Sequence, residues 1–266
     1  MKDFLGKTAF ITGGAKGIGL AMATVFAREG MNVVIGDMDN DQLDEAESKL
    51  RQITNHILAI NVDVTDRSAL ENVSDQIRQR FGPLHVLCNN AGIGGGQRVL
   101  ETPDDMWRRV EEVNFWGPIN GIKVFLPDML GHGENGHIVN TASFSGIEGH
   151  GHQSAYGASK FAVVGLSEFL SNDLADTSIS VSVLCPHVVD TPILDSLKSR
   201  LTAEHLKLLE KMAVPSMTVA EQVLSAIKQQ EFYVFCDGND TRKMLEKRSE
   251  KLLGAMNRQF PKGENA

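Results

Sequence analysis

The sequence predicts an α/β fold, a doubly wound sheet of about seven parallel strands with helices on both faces, from three observations. Short apolar, β-branched runs alternate with longer helical patterns along most of the chain. A glycine-rich turn, Thr12-Gly-Gly-Ala-Lys-Gly-Ile-Gly19, stands where the first strand gives way to the first helix. No internal repeat, low-complexity segment or Pro/Ser linker interrupts residues 1–266, so a single domain is expected.

In order, TAFIT is the first strand, and the first helix runs from about Gly17 to Glu29. MNVVIGD is the second strand, followed by a polar helix after Asp41; HILAIN is the third, with a helix after Asp66. LHVLCN is the fourth and leads into a long helical stretch between Pro103 and Leu130. HIVNTA, a helix after Ser154, ISVSVLC and finally FYVFC at residues 232–236 complete the seven strands. This alternation pairs strands in parallel, because each return to the same edge needs a helical crossover. Residues 192–216 fall outside it: SLKSRLTAEHLKLLEKM has a helical pattern yet sits between the sixth strand and the next helix, a candidate lid over a ligand site.

The formal net charge of -8 disfavours nucleic acid as a partner, since phosphate binding needs clustered Lys and Arg. A small-molecule ligand is expected instead. Cys88, Cys185 and Cys236 lie far apart, with no C-x-x-C spacing, and are read as buried thiols of a reducing compartment. The opening MKDFLGKTAFITGG has no apolar signal region, and no apolar run reaches the length of about 18 that spans a bilayer. A cytoplasmic protein without membrane contact is the expectation, and the sequons at Asn72 and Asn239 would carry no sugar.

The glycine turn lies where backbone must approach a pyrophosphate closely and where helix N-terminal N–H groups attract anions. Gly13, Lys16, Gly17, Ile18 and Gly19 are its candidate contacts. Outside that context such glycines would serve helix packing alone. Asp37 ends the second strand about twenty residues on, where a carboxylate accepts hydrogen bonds from ribose hydroxyls and repels a 2'-phosphate, which favours NAD. Lys16 argues the other way, because a cation inside the turn could pair with that phosphate and admit NADP. Asp37 is equally at home as a turn residue in DMDND.

Tyr156 and Lys160 are four apart near the start of a helix, so both side chains emerge on one face and can act on one ligand. Taken alone, a Tyr-x-x-x-Lys is weak. It stands, however, with the glycine turn, Asn89-Asn-Ala-Gly92 after the fourth strand, Asn114 in the long helix, Ser143 after the fifth strand, and Pro186 to Thr191 after the sixth. In that order these motifs resemble the short-chain dehydrogenase/reductase family, from Lys7 to about Thr191 and more loosely to Cys236.

The resemblance implies a Rossmann-type fold and a nicotinamide-dependent alcohol dehydrogenase or carbonyl reductase. Tyr156 would be the base for oxidation and the acid for reduction, its phenolate favoured by the Lys160 ammonium and the positive nicotinamide ring. Lys160 would also hold the nicotinamide ribose, Ser143 would donate a hydrogen bond to the substrate oxygen, and Asn114 would anchor a water leading from Lys160 to solvent. Asn90, Ala91 and Gly92 would shape the cofactor site, Asp63 and Val64 would contact the adenine, and Pro186, Val189 and Thr191 the nicotinamide side. Asp63-Val-Thr-Asp66 could equally be a strand end and helix cap. Asn114 could equally satisfy helix backbone.

His187 stands where the family usually has Gly, which leaves the local backbone open. Around the substrate the family places Gly94 to Arg98, Phe144 to Gln153 and the 192–216 insertion. Ser143, Phe144, His150 and His187 are the candidate substrate contacts, with Ile147, Ile193, Leu194 and Leu197 as an apolar wall. His150-Gly-His152 has no acidic or Cys companion and is not read as a metal site. The opening, the VNFWGPINGI segment and the close resemble a bacterial branch that includes aryl-alcohol Cα-dehydrogenases, implying a bulky or aromatic secondary alcohol. An NADPH-linked ketoacyl reductase and a non-catalytic dinucleotide-binding regulator are the rival expectations. By resemblance the helices around Asn114 and Tyr156 pack between subunits, implying a homodimer or homotetramer.

Overall fold

Phe10 and Ile11 are neighbours on one strand, yet each is fully buried in a different core, because successive side chains of a strand point to opposite faces. Both faces of that strand are therefore covered. The computed structural model describes residues 1, 3–191 and 203–261. The strands are β1 (Thr8–Thr12), β2 (Asn32–Asp37), β3 (Ile57–Asn61), β4 (Val86–Asn89), β5 (Gly136–Thr141), β6 (Ile179–Cys185) and, near the end, β9 (Tyr233–Phe235). They form one parallel sheet in the order β3-β2-β1-β4-β5-β6-β9. All seven are the runs anticipated from sequence.

Helices α1 (Gly17–Arg28), α2 (Asn40–Arg51), α3 (Arg67–Phe81) and α6 (Ser154–Asp173) begin within a residue or two of their sequence reading, and α1 also ends one residue from the expected Glu29. Ile11, Ile35 and Val139 pack with Met22 and Phe26 of α1 on one face of the sheet. On the other, Phe10, Val34 and Ile138 meet Leu70 and Val73 of α3, and Phe10 lies 5.1 Å from Phe125. The strand order reverses between β1, which the chain leaves toward β2, and β4, which it leaves toward β5, and in such a sheet ligands bind in the crevice outside the carboxyl ends of these strands.

The stretch anticipated as one helix between Pro103 and Leu130 is broken. It consists of α4 (Asp104–Glu111), a π-helical turn (Glu112–Trp116) and α5 (Gly117–Gly131). Pro118 has no N–H to give to the Asn114 carbonyl four residues earlier, so the α ladder cannot run through. The bonding slips by one residue, with the Gly117 N–H reaching the Glu112 carbonyl.

Of the 192–216 insertion, residues 192–202, including Ile193, Leu194 and Leu197, lie outside the described residues. Beyond them come α7 (Ala203–Met212) and β8 (Val214–Pro215), and Ser216 opens α8 (Ser216–Gln229). Strand β8 pairs with β7 (Val189–Asp190), and α9 (Asn239–Gln259) follows β9. Cys88, Cys185 and Cys236 are buried free thiols, and burial holds Cys185 and Cys236 up at about 12. Among the described residues no helix is long and apolar enough to cross a membrane.

Candidate active site

The chain passes from β1 to α1 through the glycine turn, where Gly13 has φ +62° and Gly17 φ +57°, the left-handed region that glycine enters without a steric penalty. A Cβ on Gly19 would stand 2.0 Å from the Gly13 carbonyl oxygen, so the turn closes on the helix only with glycine there. No side chain caps α1 at Lys16, which leaves its N-terminal N–H groups to an anion. Asn90 fixes the turn from the next strand: its amide donates to the Thr12 carbonyl at 3.0 Å and the Gly13 carbonyl at 3.2 Å. The Thr12 hydroxyl accepts from the N–H of both Asn90 and Ala91 at 3.0 Å.

Asp37 ends β2 with its carboxylate against the same turn, Oδ2 accepting from Ala15 N–H at 3.3 Å and Oδ1 from Met38 N–H at 2.8 Å. Lys16 is turned toward Asp39, 3.7 Å away, and both are about half exposed. Asp63 accepts from the Thr65 N–H and hydroxyl at 2.9 and 2.8 Å, and it is Asp66 that caps α3, through Ser68 and Ala69. The Val64 carbonyl accepts from Asn120 at 3.0 Å. These contacts suit a dinucleotide, with an anion site at the turn and a carboxylate at the ribose end.

At the opposite side of the crevice, α6 begins with its N–H groups bonded to the loop after β4: Ser154 to the Gln97 carbonyl at 3.1 Å and Tyr156 to the Gly95 carbonyl at 3.3 Å. That seats Tyr156 and Lys160 over the end of β5. The Ser143 hydroxyl lies close enough to the Tyr156 phenol to favour its ionised form. Ser143 is itself buried, accepting from Ser145 N–H at 3.1 Å and reaching the Pro186 carbonyl at 3.5 Å. The Lys160 ammonium donates to the Thr141 carbonyl at 2.8 Å and lies 5.6 Å from the centre of the Tyr156 ring.

Burial raises the Tyr156 phenol above its ordinary range, and the nearby Ser143 hydroxyl works against that rise. Burial also brings Lys160 down to about 8, which the neighbouring Cys185 opposes. Asn114 is fully buried and saturated: Oδ1 accepts from Ile93 N–H at 2.8 Å, and Nδ2 donates to the Ile93 carbonyl at 3.0 Å and Ser159 Oγ at 3.1 Å. It therefore satisfies backbone of the loop after β4 and not of its own helix. A Cβ on Gly92 would come within 3.3 Å of Asn114 Oδ1 and 3.4 Å of Lys160 Nζ, so these two side chains flank Gly92, while Lys160 neighbours Tyr156 and Tyr156 neighbours Ser143.

On the substrate side, Phe144 is buried and its N–H bonds to the Pro186 carbonyl at 2.8 Å. The His187 ring meets Phe144 edge-on at 5.3 Å and approaches Asp237 at 3.5 Å. The backbone at His187 is outside the left-handed region, so the departure from glycine costs no strain. The His150 Nε2 pairs with Ser145 Oγ at 2.7 Å. Val189 is buried in β7, and the Thr191 hydroxyl donates to its carbonyl at 3.4 Å. Thr141, Ser145, Ser159 and Asn120 escape a sequence reading, since each acts through a partner on another element or through a hydroxyl whose role no spacing announces.

Residues 7–202 match the family model described as short chain dehydrogenase. Over 88% of this chain and 84% of the relative, the sequence is 35% identical to 1-deoxy-11-beta-hydroxypentalenate dehydrogenase of Streptomyces exfoliatus. A short chain dehydrogenase/reductase from Burkholderia phymatum, solved in complex with NAD, superposes with a TM-score of 0.87 at 32% identity, covering 96% of this chain and 97% of that one. The apo form of LigO from Sphingobium sp. strain SYK-6 superposes with a TM-score of 0.87 at 31% identity, covering 99% and 94%.

Proposed function

Since the chain belongs to the short-chain dehydrogenase family and is an NAD(P)-dependent oxidoreductase of hydroxyl and keto substrates, we propose that it interconverts a secondary alcohol and its ketone with NAD, using Tyr156 as acid and base. The observation that carries this reading is the placing of the Lys160 ammonium, 2.8 Å from the Thr141 carbonyl and 5.6 Å from the centre of the Tyr156 ring, with Ser143 close to the same phenol.

When bound, the nicotinamide supplies the hydride acceptor and, oxidised, a positive charge beside the phenol. The chain's own residues do the rest. Ser143 Oγ donates a hydrogen bond to the substrate oxygen, stabilising the charge that develops as the alcohol O–H bond weakens. Tyr156 Oη takes that proton during oxidation and returns it during reduction. Lys160, anchored on the Thr141 carbonyl, keeps its charge next to the ring and passes the proton outward. Asn114 acts by holding the loop after β4, through Ile93, against both.

The NAD preference is supported by Asp37, whose carboxylate faces the turn at Ala15, and by the pairing of Lys16 with Asp39, which draws that cation to a nearby acid. A bulky or aromatic alcohol is the substrate class to try first, with residues 192–216 as the lid over a single catalytic domain working in the cytoplasm. A homodimer or homotetramer is supported by the large apolar side chains Trp116 and Phe169, 47% and 75% exposed on the helices expected to pack between subunits. A sedimentation profile showing only a 29.0 kDa species would contradict it.

The test is initial-rate reduction of NAD and of NADP, side by side, across aliphatic, alicyclic and aryl secondary alcohols. Turnover with NAD on one class supports the reading. Turnover only with NADP overturns the role of Asp37, and no turnover on any alcohol overturns the reaction.

A further inference from the structure

We infer that His187, oriented by Asp237, accepts a hydrogen bond from a second hydroxyl of the substrate, so that the enzyme selects hydroxylated secondary alcohols over otherwise equal ones. The inference rests on the dehydrogenase reading above and names the substrate feature it would recognise.

Position comes first. The Pro186 carbonyl accepts from the Phe144 N–H at 2.8 Å and from the Ser143 hydroxyl at 3.5 Å, and His187 is the next residue. The imidazole is thus attached one peptide unit from the oxygen that fixes Ser143. Its ring leans edge-on against Phe144, centroids 5.3 Å apart at 62°, and the side chain keeps 20% of its surface exposed. The ring is held between Phe144 and Asp237 with part of its surface open, and it is not sunk in the core.

Orientation comes next. His187 Nδ1 lies 3.5 Å from Asp237 Oδ2. Asp237 cannot swing freely, because Oδ1 accepts from Thr241 N–H and Oδ2 from the Thr241 hydroxyl, each at 2.9 Å, and Thr241 is buried. A lone pair on Nδ1 would face the carboxylate lone pairs, so Nδ1 carries the proton. In the neutral ring Nε2 is then an acceptor. The reacting oxygen is served by Ser143, which donates to it, and by Tyr156, which takes its proton in oxidation and returns it in reduction, so it leaves no proton for Nε2. What Nε2 can take is a separate O–H, one carried on a carbon close to the carbinol.

A strut tying the first turn of α9 to the loop after β6 would use the same contacts, but it would change stability and not the ratio between substrates. The experiment therefore compares paired substrates: secondary alcohols with a free hydroxyl on the neighbouring carbon, and the same compounds with that hydroxyl methylated. Wild type should prefer the free hydroxyl by about tenfold in kcat/KM, the scale of one hydrogen bond, expressed mainly in KM. His187→Phe keeps a ring against Phe144 and removes both nitrogens, and should bring the ratio close to one. Asp237→Ala frees the ring and should lower the ratio in the same direction. If wild type shows no preference, or His187→Phe retains it while both pair members turn over, the inference is overturned and the dehydrogenase reading stands. If wild type oxidises neither member of any pair with NAD or NADP, that reading fails and the inference with it.

Discussion

Asn114 lies 21 residues from Ile93 in sequence, yet its side chain takes the Ile93 N–H at 2.8 Å and gives to the Ile93 carbonyl at 3.0 Å, as a strand neighbour would. This pairing pins the loop after β4, whose Gly92 packs against Asn114 and Lys160. Asn114→Ala would leave a partly buried backbone N–H and carbonyl without partners, a loss of about 1–3 kcal/mol. Urea unfolding should show that loss in the midpoint, and turnover should fall with it. An unchanged midpoint would mean the loop is held by other contacts.

The glycine turn makes a sharper steric prediction. Gly19→Ala places a methyl 2.0 Å from the Gly13 carbonyl oxygen, whereas Gly149→Ala meets nothing within 4 Å. The first should abolish measurable NAD binding by fluorescence titration, and the second should leave it as in wild type. Equal binding by the two would show that the turn is not part of the cofactor site.

Cofactor choice is expected to follow one carboxylate. Asp37→Ser removes the charge that opposes a 2'-phosphate, and should shift the NAD-to-NADP ratio of kcat/KM toward NADP by at least about tenfold, or ~1.4 kcal/mol. Lys16→Ala, which removes a side chain already paired with Asp39, should shift it far less. The reverse order would move the assignment from Asp37 to Lys16.

Stability should depend on pH through a histidine far from the chemistry. The Ser182 hydroxyl donates to the Glu231 carbonyl and so accepts from His137 Nε2 at 2.8 Å, and His137 Nδ1 is buried with no hydrogen-bond partner among the described residues. Burial, reinforced by the N-terminal ammonium, lowers its pKa from 6.5 to about 3. The unfolded ring titrates near 6.5, so below that pH the unfolded chain binds a proton that the native ring refuses. This contribution to stability is full above about pH 6.5 and declines by ~1.4 kcal/mol per pH unit toward pH 3. Urea titrations at pH 7 and pH 5 should therefore differ by less in His137→Phe than in wild type. Equal differences would contradict the assignment.

The seven strands and the helices between them are legible in the sequence because each is a local pattern, an apolar run or a 3.6-residue period. The glycine turn and the Tyr156–Lys160 pair are legible for the same reason, being fixed offsets on one strand-turn-helix or one helix. The contacts that assemble the site are not local. Asn90 reaches Thr12 across 78 positions and Lys160 reaches the Thr141 carbonyl across 19, and no spacing rule relates such pairs. The break around Asn114 has a signal in Pro118, a residue that the reading of one helical stretch between Pro103 and Leu130 leaves out of account. On the substrate side, Phe144 and His187 were nameable as candidates, but the approach of His187 to Asp237 depends on β6 and β9 lying side by side at the sheet edge.

The most direct measurement is turnover and cofactor affinity of Tyr156→Phe, taken together on one preparation. The variant removes only the phenolic oxygen of a buried ring that keeps its place beside Lys160. Retained NAD affinity with turnover reduced by about 100-fold to 10,000-fold is the expected result. Near-normal turnover in the variant would contradict the assignment of Tyr156 as the proton carrier, and with it the proposed chemistry of the site.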